Sequence, residues 1–338
     1  MHRVRGRVER GEPITSEDCR GLFDLRDLNR FSQLSRIARE RRYGTDAFFT
    51  VADPVEIRRG DGVPSASGEN GTVLTPQYGA GAGDPADWVG PLLENVRDLP
   101  SDVRLRFDPR LLHAVVGEKG FGEFLSGLGS RSVLVGPAGA FGNDPLWGES
   151  AMTPERWLAL HKSVHEAGIS TDAGVHYHDD ADPDALVEFM AMIRDLQDRT
   201  GRFRSIVPIP FTLAGEEHAA HRRQPTAAMT LRITAILRLF FDGIDHVVTP
   251  VRLLDPEISF VALSYGADTI DTTISPSESE VAPGEKGAGM LPIISPSERR
   301  AEEDLLRLIE ERIVEARFRP VPVDPEYRRM RLVESAES

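Results

Sequence analysis

The sequence predicts an α/β protein folded as one (β/α)8 TIM-type barrel, and three observations lead there. Short apolar runs alternate along the chain with longer amphipathic stretches, as βα units do when they wrap a parallel sheet. The short runs number eight, as the barrel requires. The length, 338 residues of which 40% are hydrophobic, suffices for one large core, although two ordinary domains would also fit it.

Taken in order, a polar start is followed by TSEDCRGLFDLRDLNRFSQLSRIARERRYG, an amphipathic helical region opened by Thr15 or Ser16 and closed by Gly44. The strands are expected at 46–53, 72–79, 103–108, 132–139, 169–178, 205–211, 245–250 and 267–274. Between them lie helical patterns beginning at DWVGPLL, RLLHAVV, TPERWLAL, DPDALVEF, AAMTLRIT, DPEISFV and SERRAEED. The first two strands are joined only by PVEIRRGDGVPSASGENG, rich in Gly, Pro and Ser, so the first βα unit is vestigial. Residues 275–297 form a long irregular excursion, either a lid over the barrel mouth or a plain linker. The expected organisation is a helical extension over 1–44 and a barrel with its C-terminal helix and tail over 45–338.

Charge narrows the partners. Forty Lys+Arg against 54 Asp+Glu leave a net charge of −14, which repels phosphate backbones and anionic lipid. Nucleic acid and membrane are therefore not expected as partners. No apolar run is long enough to span a bilayer and MHRVRGRVERGEP has no signal-peptide core, so a cytoplasmic location is expected. Cys19 is the one cysteine, which excludes an internal disulfide and any cysteine-built cluster or zinc site within this chain.

The run from WLALHKSVHEAG through GVHYHDDADPDALVEF to SIVPIPF resembles the fifth and sixth units of the radical S-adenosylmethionine enzymes of futalosine-type menaquinone biosynthesis, the aminofutalosine synthase and dehypoxanthine futalosine cyclase branch. LRITAILRLFFDGIDHV, FVALSYGADTIDTTI and ARFRPVPVDPEY resemble its later blocks and tail, VLVGPAGAFGNDPLWGESAMTPERW its glycine-rich segment, and ERGEPITSEDCRGLFDL its N-terminal helix. The resemblance implies the barrel, and it marks three departures. The family's CxxxCxxC loop, whose thiolates hold a [4Fe–4S] cluster, is replaced by ADPVEIRRGDG. Its GGGAE segment becomes Gly136, Pro137, Ala138, Gly139 and Ala140, and its GHxE turn becomes His178, Asp179, Asp180 and Ala181. No cluster is expected, no other cofactor is called for, and binding of S-adenosylmethionine is left doubtful.

Functional groups of such barrels gather at the C-terminal ends of the strands. On a strand His176 and His178 share a face, with Asp179 and Asp180 at the rim. They could converge on a metal through His176, His178 and Asp180, or they could be barrel-lining groups without one. His218 and His221 could add a ligand or belong to a solvated charged run. Asp271 and Thr273 match family positions near the substrate, whereas Asp53 and Asp108, each followed by proline, read as caps. Arg232 matches the family's arginine after strand six and could contact ligand or close a salt bridge. Tyr78 and Phe211 could stack on an aromatic ligand or fill the core. The reading favoured is a non-radical accessory protein or pseudoenzyme that binds a nucleoside-like or aromatic ligand, or a paralogous radical enzyme. The alternatives are a His/Asp metal-dependent or metal-free acid–base enzyme, and a purely structural partner.

Overall fold

The computed structural model describes residues 2–25, 27–57, 71–76, 103–107, 133–135, 153–179, 181–210, 225–274 and 299–330. Three helices come first: α1 (His2–Arg10), α2 (Ser16–Phe23) and α3 (Leu28–Tyr43). The polar start is itself helical: Val4 and Val8 are one turn apart and bury a narrow stripe that holds α1 as a helix despite its arginines. Thr15 opens α2 with a reciprocal cap, its Oγ1 accepting from Asp18 N at 3.1 Å while the Asp18 carboxylate accepts from Thr15 N at 3.2 Å. Gly44, at φ +58°, ends α3 as expected.

Two parallel sheets follow. One has the order β10-β1-β9-β8-β7-β6, from β1 (Asp46–Thr50), β6 (Thr171–Tyr177), β7 (Phe203–Pro210), β8 (His246–Pro250), β9 (Thr269–Asp271) and β10 (Arg319–Val323). The other has the order β2-β3-β4-β5, from β2 (Asp53–Ile57), β3 (Thr72–Pro76), β4 (Val103–Phe107) and β5 (Val133–Val135). Every strand pair in them is parallel. The chain passes from one sheet to the other through Val51 and Ala52, and β5 lies beside β6 at the opposite side.

The expected first strand, 46–53, ends as β1 at Thr50, clasped between β9 and β10, and the residues read as the start of the joining loop form instead β2, which pairs with β3. The reason is β10, which the sequence reading passed over as tail: RPVPV alternates prolines with residues whose N–H groups face β1. Arg319 N donates to Thr45 O at 2.8 Å, and Val323 O accepts from Val51 N at 2.9 Å. Proline fits such a strand because its missing donor falls on the side away from β1, where Pro322 O accepts from Met330 N at 3.0 Å. Strand five ends at Tyr177 and strand eight at Asp271, both short of the expected bounds.

The helices α4 (Pro154–Glu166), α5 (Pro183–Thr200), α6 (Ala227–Phe240), α7 (Pro256–Ala262) and α8 (Arg299–Glu315) fall where the pattern placed them. Thr153, Asp182 and Asp255 cap α4, α5 and α7, each followed by proline in the first turn. The expected helices near 87–99 and 110–128, and the excursion at 275–297, lie outside the described residues. The main core packs α2, α3, α5 and α6 onto the outer face of β6 and β7 through Phe31, Val187, Ile193, Ile236 and Tyr177. The inner face is a separate cluster of Phe48, Val207, Val248, Ile274 and Tyr327.

Candidate functional site

Strand alternation sends Thr50 of β1, Asp271 of β9 and His176 of β6 to the barrel interior, and all three are buried. Asp271 is the hub. Its Oδ1 accepts from Thr273 N at 2.6 Å, Thr273 Oγ1 at 2.7 Å and Ile274 N at 3.1 Å, an Asx-type turn that ends β9. Its Oδ2 accepts from Tyr327 Oη at 3.1 Å. Thr50 Oγ1 is 3.2 Å from Thr272 Oγ1 and accepts from Thr272 N at 2.9 Å, tying β1 to the same turn. Arg106 of β4 reaches in from the second sheet, with Nη1 donating to Thr273 Oγ1 at 2.8 Å and Nη2 3.6 Å from Asp271 Oδ2.

A second polar layer lies at the start of β6 and β7. Asp172 accepts from Arg204 Nη2 at 3.0 Å and from Ser205 Oγ at 2.8 Å. Between the layers stands Tyr327, delivered by the turn after β10. Asp324 Oδ1 accepts from Glu326 N and Arg328 N at 2.8 and 2.9 Å, and Tyr327 takes a left-handed φ of 62°. Glu326 pairs with Arg104 at 3.5 Å on the same face of β4 as Arg106. Burial, with Asp172 and Asp271 adding to it, pushes the Tyr327 phenol well above its usual range, so it stays a hydrogen-bond donor.

Of the residues expected to form a site, Asp271 and Thr273 are brought together and His176 faces the same interior. His178 lies just past β6, half-buried. The exposed Asp179 accepts from Thr226 N at 3.0 Å and from Thr226 Oγ1 at 3.2 Å, which steadies the start of α6. Among the described residues no group of three His, Cys, Asp or Glu is placed to hold a metal ion. Arg232 lies on α6 with its guanidinium carbon 6.0 Å from the Phe31 ring of α3, toward the outer helix layer. Asp53 is half-buried at the start of β2. Tyr78, Phe211, Asp180, Asp108, His218 and His221 lie outside the described residues.

The sequence reading missed Arg106 and Tyr327. A signal for the first was present: VRLRF alternates, so Arg104 and Arg106 share one face of a strand, an unusual burial for two cations. Nothing in the sequence announces that the tail returns to the barrel.

The cysteine bears on cluster chemistry. Cys19 is fully buried in α2, within the core under the helix layer, and burial pushes its thiol up to about 12, the opposite of a thiolate ligand. It is the one thiol in the sequence, and it lies on α2 rather than in the loop after the first strand.

Elsewhere Arg238 and Asp268 form a buried ion pair, with His246 Nδ1 2.7 Å from the other carboxylate oxygen. Burial alone would raise Asp268, but Arg238, His246 and the Val247 N–H hold it below the usual carboxylate range. A cavity of about 260 Å³ opens where α1, α3 and α6 end. Its Arg41 and Arg42 donate to Glu9 O and Ile244 O at 2.6 Å each, so they cap carbonyl-bearing helix ends and the segment beyond α6.

No family model matches the chain. It is 32% identical over 126 residues to aminodeoxyfutalosine synthase of Thermus thermophilus, covering 36% of this chain and 34% of that protein. It is 34% identical over 117 residues to cyclic dehypoxanthine futalosine synthase of Streptomyces coelicolor, covering 34% and 29%. To the aminodeoxyfutalosine synthase of S. coelicolor it is 27% identical over 192 residues, covering 54% and 46%. The chain thus spans between 29% and 46% of the length of these relatives. Among solved structures it resembles methylornithine synthase (TM-score 0.60, covering 94% of this chain and 97% of that one) and the FeFe-hydrogenase maturase HydG from Carboxydothermus hydrogenoformans (TM-score 0.64, covering 97% and 80%). Both are radical S-adenosylmethionine barrels, and at 13% identity each likeness concerns the fold alone.

Proposed function

We propose that this chain, similar over part of its length to the futalosine-pathway synthases, keeps a barrel and an interior binding site without the radical chemistry. Its role is that of an accessory protein or pseudoenzyme of menaquinone biosynthesis. It binds a nucleoside-like or aromatic ligand in the barrel and pairs with a paralogous radical enzyme. The observation that carries this reading is the contrast between two ends of the molecule. The loop after the first strand has no thiol and Cys19 is sealed under α2, while the turn after β9 keeps an ordered set of polar groups facing the interior. Cluster ligation needs three thiolates, and no other side chain substitutes for three of them. A ligand pocket needs only a few convergent polar groups in a concave setting.

The test has two arms. Anaerobic reconstitution with iron and sulfide should leave the purified chain without stoichiometric iron and without charge-transfer absorbance. Cleavage of S-adenosylmethionine by the isolated chain would overturn the non-radical reading. In the second arm a thermal-shift screen of adenosine, aminofutalosine-like nucleosides and chorismate-derived acids should give at least one hit, because a ligand bound only by the folded state raises the melting temperature. No shift across the set would leave only partner binding.

A further inference from the structure

We infer that Arg106, and not Asp271, is the group through which the barrel recognises its ligand, and that the ligand group it takes is a carboxylate. This inference rests on the interior binding site proposed above. Asp271 is the obvious polar candidate at the end of β9, but its lone pairs are already used. Oδ1 accepts three hydrogen bonds at 2.6 to 3.1 Å and Oδ2 accepts the Tyr327 hydroxyl at 3.1 Å. A ribose hydroxyl or an amine would have to displace bonds that shape the turn itself. Thr273 is likewise occupied, donating to Asp271 and accepting from Arg106.

Arg106 is different. It is 3% exposed, and of its guanidinium nitrogens only Nη1 has a hydrogen-bond partner; Nε and Nη2 are buried with none. Those two nitrogens lie along one edge of the planar guanidinium, the edge that donates two parallel bonds to the two oxygens of a carboxylate. Neighbouring arginines show what the barrel ordinarily provides. Arg104, two residues back on the same face, has Glu326 at 3.5 Å, and Arg204 has Asp172 at 3.0 Å. Among the described residues the carboxylate paired with Arg106 is Asp271, held 3.6 Å off by its own hydrogen bonds, beyond hydrogen-bonding distance. Buried donors without acceptors are rare and strongly unfavourable, and charged ones more so, which marks this edge as a position an acceptor completes.

The nearby Asp271 also selects among acceptors. A phosphate monoester would bring nearly two negative charges beside that carboxylate, whereas a carboxylate brings one and is repelled less while still taking both donors of the edge. A neutral amide offers one oxygen and places its own N–H groups against the guanidinium.

Isothermal titration of the full chain with benzoate, benzamide, inorganic phosphate and adenosine tests this, in the wild type and in Arg106→Gln and Arg106→Lys. Benzoate should bind at least about tenfold more tightly than benzamide, the discrimination expected of a charge-assisted pair of bonds. In Arg106→Gln the ratio should fall to about one, and Arg106→Lys, which keeps the charge but loses the planar edge, should lie between. Near-UV circular dichroism reports whether each variant folds; if the Gln variant does not, a reduced ratio in the Lys variant carries the result. Equal binding of benzoate and benzamide by the wild type, an undiminished ratio in the folded variants, or tighter binding of phosphate than of benzoate would overturn the inference. Adenosine binding with no preference for benzoate would sink this inference alone. No binding of any probe, adenosine included, would remove the site it rests on as well.

Discussion

Cys19 packs between Asp18 and Arg20 on a helix whose inner face meets α5, with no exposed surface. A thiol pushed up to about 12 holds almost no thiolate at neutral pH, and thiolate is the reactive form. The native chain should therefore give no rapid reaction with Ellman's reagent and should release one equivalent in denaturant. A full equivalent reacting within seconds on native protein would show that α2 does not seal it. That a single thiol exists was plain from the sequence, but that it is inert depends on what α2 covers. The same division holds in the barrel. Asp271 and Thr273 could be picked out in advance, whereas their engagement with each other, and the reach of Arg106 to them, depend on strands far apart in sequence.

Helix starts were the most legible elements. Thr153, Asp182 and Asp255 each precede a proline, and cap and proline together open a helix from local chemistry alone. Helix ends depend more on neighbours. Gly266, after a short 3-10 turn (Leu263–Tyr265), has φ +100°, and a Cβ there would stand 2.7 Å from Arg238 Cβ and 2.9 Å from Ser35 Cβ. Here α3, α6 and the approach to β9 meet. Gly266→Ala should cost about 2–4 kcal/mol, from a left-handed backbone without glycine and a close-packed contact without room. Chemical denaturation measures it, and a change below about 0.5 kcal/mol would mean the junction yields easily. β10 shows the converse: its prolines hid a strand, because only the identity of its partner reveals that they face away from β1.

For the whole molecule the balance between folded and unfolded states depends on pH through two buried histidines between α4 and β6. Thr200 Oγ1 donates to Leu196 O at 2.9 Å, so His165 Nδ1–H must donate to Thr200. His165 Nε2 then accepts from the Thr171 hydroxyl, which in turn accepts from His161 Nδ1–H, each at 2.8 Å. This chain of bonds requires the His165 ring neutral, because its Nε2 must accept, while His161 is kept neutral by its burial. Burial lowers His165 from 6.5 to about 4 and holds His161 well below its ordinary value. Since the unfolded chain takes up these protons first, the stabilisation is complete above pH 6.5 and is lost as pH falls toward 4. Below about 3.8 Asp18 and Asp268 add to the loss, because each is held below its usual range when folded. The melting temperature should be level above pH 7 and fall steadily from 6.5 to 4, and His165→Gln should flatten that slope. A constant melting temperature from pH 7 to 4.5 would contradict it.

By itself, the sequence determined the class of fold, the helix starts and the supply of one thiol, because periodicity, caps and counts are local or compositional properties, and it carried the resemblance to a radical-enzyme branch. Only the tertiary structure decided that the segment just after the first strand joins a second sheet, that the tail returns to set Tyr327 inside the barrel, and that Arg106 has donors to spare where the acceptors of Asp271 are taken. Those outcomes depend on which distant segments share a ladder, and on how many hydrogen bonds remain unmade once they do.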